Sequence, residues 1–275
     1  MTVVYDQIGT GYAKHRCADH RIVNRLVDLI ALPPPATIAD IGAGTGSYSH
    51  ALADLGFQIE AIEPSDEMRQ QSIVHGSVRW FNGTAEHIPL PDRSVDAILC
   101  ILASHHFPDL PSAVAEMMRI CPDGPVIWFT CDPREVDHPW LADYFPAIWE
   151  EVFRVFPPLS DVCRLLTAHG ARHIEVLPWL VPHDLQDCFM AAGWRKPEMY
   201  LDAGVRACMS AFRLADPEQT QSGLSRLRQD VTTGKWQSEH RELLCQTAVD
   251  WGYRFLKATR DAANPRMEHY GAQPR

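Results

Sequence analysis

No C-x-x-C pair joins any two of the eight cysteines, which fall at Cys17, Cys100, Cys121, Cys131, Cys163, Cys188, Cys208 and Cys245. Such wide spacing disfavours a zinc ribbon or a disulfide framework and leaves most of them as thiols of a core. Nor does any run approach the roughly 20 apolar residues that cross a bilayer. The opening MTVVYDQIGTGYAKHR carries no long apolar stretch of the secretory kind. Basic residues are too few for a nucleic-acid footprint, 25 against 35 acidic, for a formal charge of −10. Internal repeats and low-complexity blocks are absent too. These absences lead to the expectation of a soluble cytoplasmic protein with neither nucleic acid nor membrane as a partner.

What is present suits a packed core. A chain of 275 residues that is 46% hydrophobic is long enough for one large domain, or for a domain with an insertion. Residues 19–30 place Ile22, Val23, Leu26, Val27 and Ile30 on one helical face, and LPPPA then stops the helix. Strands are expected at TIADI, FQIEAIE, VRWFNG, SVDAILCILA and PVIWFTC, with helices over 47–55, from Ser65, and from Pro111 through Met118. This alternation favours a mostly parallel α/β sheet with helices on both faces. Beyond Cys131 the aromatic, proline-punctuated HPWLADYFPAIWEEVFRVFPP is less regular. A helix over 161–169 and a strand at RHIEVLPWL follow, then helices over 183–191, 203–214, 217–231 and 238–248, and a late strand WGYRFLKAT.

The segment TIADIGAGTGSYSHALADLGFQIEAIEPSDEM carries the chemistry. Leaving its first strand, the chain must turn sharply into a helix, and glycine allows the unusual dihedrals and the close ligand approach this needs. Amides at that helix start form a locally positive edge. Glu63, ending the next strand, can accept bonds from both hydroxyls of a ribose. The loop GAGTG has glycines at alternate positions, so it completes neither the G-x-G-x-x-G dinucleotide fingerprint nor the G-K-[ST] end of a P-loop. Asp40 beside it would repel a pyrophosphate and suits a cationic or amino-bearing ligand.

With NGTAEHIPLPDRSVDAILCILASHHF downstream, this segment resembles the class I S-adenosylmethionine-dependent methyltransferases, closest to the small-molecule group called methyltransferase type 11. The resemblance covers residues 5–124. It implies a Rossmann-like fold with a mostly parallel seven-stranded sheet and a helical lid insertion, S-adenosylmethionine as cofactor and S-adenosylhomocysteine as product. By this likeness Asp40 organises the loop near the methionyl amine, and Gly42 and Gly44 lie beneath the methionyl and ribose parts. Glu63 takes the ribose hydroxyls, and Pro64, Ser65 and Met68 sit near the adenine. Thr84 stands where the family often has Asp, with Ala85 supplying a backbone contact and Glu86 bracing the loop. Backbone from Cys100 to Leu102 faces the methionyl amine. The segment YDQIGTGYAKHR resembles the one that closes over the cofactor in this family, with Tyr5 and Tyr12 excluding water and Arg16 pairing with the methionyl carboxylate; the alternative is that the tyrosines pack the first helix onto the domain. The implied division is an N-terminal cap segment and helix (1–36), a cofactor-binding core (37–181), a helical substrate-side insertion (182–249), the last core strand (250–260) and a flexible tail (261–275).

Methyl transfer needs a nucleophile in line with the departing sulfur, so orientation is the enzyme's main task. His105 and His106, on a loop past the fourth strand, are the candidate proton acceptors. No metal site is expected. His138 is a weaker candidate, and Trp140, Tyr144, Phe145 and Trp149 form either an aromatic substrate wall or a joint between lid and core. The expected acceptor is a small, partly apolar metabolite. The alternatives are methylation of a protein side chain, or a non-catalytic cofactor-binding regulator. Oligomeric state does not follow from the sequence.

Overall fold

The computed structural model describes Tyr12 and residues 15–260. Tyr5 and the expected tail at 261–275 lie outside the described residues. Asp19 starts the first helix, α1 (His20–Ile30), by accepting from the backbone N–H of Arg21 at 2.9 Å. The apolar stripe Ile22, Val23, Leu26, Leu29 and Ile30 is buried against the sheet. Each such side chain contributes roughly 1.5–3 kcal/mol of apolar burial. Ala31 ends α1 in the left-handed conformation with φ 53°.

The next elements alternate: β1 (Thr37–Ile41), α2 (Ser47–Ala53), β2 (Gln58–Ile62), α3 (Asp66–Gln70), β3 (Val78–Phe81), β4 (Ala97–Ile101), α4 (Leu110–Ile120) and β5 (Val126–Cys131). After β5 come α5 (Trp140–Tyr144), α6 (Pro146–Val155), α7 (Leu159–Ala168), β6 (His173–Pro178) and a short β7 (Val181–Pro182). Then follow α8 (Ala203–Ala207), α9 (Ser210–Leu214), α10 (Pro217–Thr233), α11 (Lys235–Glu239), α12 (Arg241–Leu244), β8 (Ala248–Val249) and β9 (Tyr253–Thr259).

The main sheet has seven strands in the order β3-β2-β1-β4-β5-β9-β6. Pairing is parallel from β3 to β5, and β9 runs antiparallel between β5 and β6. The central strands are buried on both faces, which is why AILCI and VIWFTC read as continuous apolar runs rather than alternating ones. One core layer joins α1 and α2 to Ile38, Ile59 and Phe129; the other joins α4 and α7 to Ile41, Ile98 and Trp128.

The carboxyl half departs from expectation in three places. Residues 183–188 form turns rather than a helix, followed by a 3₁₀ turn at Met190–Gly193. Their polar groups are drawn to the chain start instead: Asp184 and Asp187 take Arg21 and Arg16, and Gln186 N–H donates to Asp19. The helix expected over 203–214 is split, because Met209 is extended (φ −112°, ψ 104°). The one expected over 238–248 breaks into α11 and α12, and its last residues pair as β8 with β7.

The cap over the sheet uses two stretches of chain. Residues 140–155 join the later helices, with Trp140 Nε1 donating to Trp194 O at 2.8 Å and Tyr144 Oη to Asp230 at 2.9 Å. Trp140, Tyr144 and Phe145 are buried inside this cap. Asp19 is fully buried and accepts four hydrogen bonds, three from Arg21 and one from Gln186, so it fastens α1 to the cap. Asp19→Ala removes a helix cap and the part-buried contacts to Arg21 and Gln186, which should cost about 1–2 kcal/mol in denaturant unfolding.

Candidate active site

The order of the sheet reverses between β1 and β4, the point where an open α/β sheet leaves a crevice at its carboxyl edge. A cavity of about 550 Å³ lies there. The loop after β1 forms its floor. Gly42, Gly44 and Gly46 have φ of +74°, +58° and +80°. A β-carbon on Gly42 would come within 2.6 Å of the Ala103 methyl, whereas one on Gly44 would meet nothing nearer than Met68 at 3.5 Å. Gly42 is thus required by both conformation and space, Gly44 by conformation alone.

Glu63 is buried, and its two carboxylate oxygens accept from Gly44 N–H and Ser65 N–H, each at 2.9 Å. One side chain therefore ties the glycine loop to the turn after β2. Asp40 is buried one strand away and accepts from Ser49 Oγ at 2.6 Å. Burial, reinforced by the charge of Glu63 and opposed by the Ser49 hydrogen bond, raises the Asp40 pKa to about 6.

Of the residues expected to hold a cofactor, Tyr12, Arg16, Asp40, Gly42, Gly44, Glu63, Pro64, Met68, Thr84 and Ala85 line the cavity. Ser65 and Cys100 do not. Ser65 is fully buried because its hydroxyl caps α3, accepting from Met68 N–H at 3.2 Å. Cys100 faces the core beneath β4, where burial pushes its thiol pKa up, and the next two residues, Ile101 and Leu102, reach the cavity instead. Leu102 is held at φ +50°, a left-handed conformation rare for a bulky residue, and its N–H donates to Phe129 O at 2.7 Å. Glu86 lines the cavity and accepts weakly from Asp109 N–H at 3.4 Å.

Arg16 lines the cavity as a residue already held by the protein. It is paired with Asp187 and bonded to Tyr12 Oη, so its guanidinium is engaged by protein groups. Tyr48 Oη also donates to Asp187, at 3.0 Å. Asp187 is buried, lines the cavity and joins the chain start, α2 and the cap. Sequence reasoning missed it, because its partner lies 171 residues away and no local motif marks it.

His105 and His106 occupy a 3₁₀ turn after β4, with ring centroids 3.9 Å apart, and both line the cavity. His105 stacks on Phe156 from the cap at 4.2 Å. Burial lowers the pKa of His106 to about 4 and, with the charges of His106 and Arg16, carries His105 well below its ordinary value. Both imidazoles are therefore neutral at pH 7. His138 pairs with Asp143 on the surface, away from the cavity. Among the described residues no three His, Cys, Asp or Glu side chains converge as a metal set, and no helix is long and apolar enough to cross a membrane.

A family model described as a methyltransferase domain matches residues 39–129, the run from β1 to β5. A crystal structure from Anabaena variabilis, whose description assigns it to the methyltransferases of an antibiotic biosynthesis pathway, is 47% identical. It covers 89% of this chain and 99% of its own, with a TM-score of 0.86. The chain belongs to the class I S-adenosylmethionine-dependent methyltransferases, in the type 11 small-molecule group. An uncharacterized methyltransferase of Mycobacterium tuberculosis is 35% identical over 155 residues, 54% of this chain and 61% of its own length. A malonyl-[acyl-carrier protein] O-methyltransferase of Serratia marcescens is 31% identical over 110 residues, 38% and 42% of the two chains. The chain thus spans about 61% of the length of the first curated relatives it matches.

S-adenosylmethionine is the cofactor of this group, and the lining fits it. A buried carboxylate beside the loop suits an ammonium, a second ending β2 suits ribose hydroxyls, and a glycine leaves space over the loop. Asp40 supplies a sensitive test. Its carboxyl half-ionises near pH 6 in the free protein, and a bound ammonium favours the ionised form. Affinity for S-adenosylhomocysteine should therefore rise as pH increases from about 5 to 7, with proton release in the acid half of that range. Calorimetry in buffers of different ionisation enthalpy measures it, and Asp40→Asn should abolish the release.

Proposed function

We propose that this protein transfers a methyl group from S-adenosylmethionine to a small, partly apolar metabolite. The observation that carries this reading is one continuous cavity, with the glycine loop, Asp40 and Glu63 at one side and neutral His105 and His106 under the cap at the other. The cofactor supplies an electrophilic methyl group on a sulfonium. Glu63 would hold the ribose, while Asp40 and the backbone at Ile101 and Leu102 would hold the amino group. Thr84, Ala85, Pro64 and Met68 would enclose the adenine. Arg16 keeps its charge through Asp187 and presents it at the cavity wall, so a cofactor carboxylate would share it with that partner.

On the acceptor side, the chain's own residues position and deprotonate. A neutral imidazole can accept a proton, and His105 is the better placed because it borders both the main cavity and its apolar extension. Phe107, Phe156, Val155 and Leu214 supply apolar wall that excludes water. A walled cavity of this kind favours a small acceptor over a protein side chain, which would need an open groove.

Incubating the protein with S-adenosylmethionine carrying a deuterated methyl group and a mixed metabolite pool, then measuring product masses, tests the reading. One or a few small apolar products should acquire the label, and none would contradict it. With a product in hand, His105→Ala should lower kcat by about 100-fold or more while the KM for S-adenosylmethionine stays within about threefold. An equal loss in KM would move His105 from proton transfer to cofactor binding.

A further inference from the structure

Past His105 the main cavity continues into a recess of about 60 Å³ between the sheet and the cap. Trp149, Phe156, Phe189, Met190, Met209 and Tyr253 supply large aromatic and thioether side chains to its wall. Among the described residues no carboxylate lines it, and the single charged one in its wall, Arg16, is paired with Asp187. A carboxylate entering here would have to compete with Asp187 for Arg16, and an ammonium would find no carboxylate among the described residues of the wall. The occupant that suits the recess is therefore uncharged and flat, since aromatic walls reward ring contacts.

His105 stands where recess and cavity meet. Its ring has no hydrogen-bond partner among the described residues, and protein atoms close off its Nδ1. Nε2 is the nitrogen left for a ligand. With its proton on the enclosed Nδ1, a neutral imidazole presents Nε2 as an acceptor, and that nitrogen calls for a donor. The same burial that keeps this ring neutral makes it a weak base, so it can assist only an acceptor with a fairly acidic proton. A phenolic hydroxyl, with an ordinary pKa near ~10, meets that demand far better than an alcohol does.

Resting on the methyl-transfer reading above, we propose that this recess is the acceptor subsite and that the acceptor is an uncharged hydroxyarene, its hydroxyl on His105 and its ring edge in the recess. In the transfer, the phenolic oxygen forms the bond to the methyl carbon while the methyl–sulfur bond breaks. The sulfur keeps that bonding pair and becomes a neutral thioether. The hydroxyl proton passes to His105 and leaves as the product ether is released. A space of this size receives a short alkyl or ring-edge substituent, so small para-substituted phenols are the fitting probes.

The test uses the full chain saturated with S-adenosylhomocysteine. Binding of 4-ethylphenol, 4-ethylbenzoate and 2-phenylethylamine is measured by calorimetry, and the His105 imidazole is followed by nitrogen NMR. The phenol should bind at least about tenfold more tightly than either charged analogue and should move the His105 signal. Met209→Trp, which fills the recess, should weaken phenol binding at least about tenfold, with S-adenosylhomocysteine binding within about twofold of the parent. Equal or tighter binding of a charged analogue, or a silent His105 signal, overturns the assignment. The wild-type measurements decide the matter even if that variant does not fold. If S-adenosylhomocysteine itself does not bind, the methyl-transfer reading falls; if it binds and the phenol does not, only the hydroxyarene assignment falls.

Discussion

Glu63 accepts hydrogen bonds from the amides of Gly44 and Ser65, and that pair of contacts determines how the first two parallel strands end. Both amides belong to turns that leave the sheet, where a backbone donor has no ladder partner and must be met some other way. A buried carboxylate meets both and sets the loop after β1 against the turn after β2. The left-handed glycines then have a defined course, Gly42 close against Ala103 and Gly44 open to the cavity. The same carboxylate raises the proton affinity of Asp40, adding to the effect of burial. Loop shape and local charge thus share one source.

Closure comes from the other end of the chain. Arg16 and Asp19 are fastened to residues 184–188 by an ion pair to Asp187 and a backbone donor from Gln186, with Tyr12 bonded to Arg16 and Tyr48 linking α2 into the same cluster. A buried pair adds little net stability over an apolar replacement, yet removing one partner is costly because the other charge is stranded. Such a joint is better suited to holding a wall in one place than to stabilising the fold as a whole. It gives the cavity a side built from three distant segments, and Arg16 borders both the main space and the recess.

Legibility in the sequence follows the range of the interactions. Strands β1 to β5 could be read from apolar runs, because parallel strands buried on both faces write their burial directly into composition. The alternate glycines are readable because their left-handed conformation is a local demand, and Glu63 because its contact to Gly44 spans only nineteen residues. Ser65 is expected both at a helix start and beside the adenine. The cap contact is local, and the structure puts that hydroxyl in the core. Cys100 missed the cavity by one residue, the difference between the two faces of a strand. Asp187, the split of α8 from α9 and the turns over 183–188 depend on partners far along the chain, so helical spacing alone misread them. The cap's aromatic residues divided along the same line: Trp140 and Tyr144 pack inside the cap, while Trp149 reaches the recess.

The central claim is that the Glu63 carboxylate both shapes the loop and receives the nucleoside. Calorimetric titration of Glu63→Gln with S-adenosylhomocysteine tests it most directly, alongside circular dichroism to establish that the variant is folded. Loss of a charge-assisted acceptor should weaken binding by roughly 10- to 100-fold. A folded variant that binds with the parent's affinity would contradict the account.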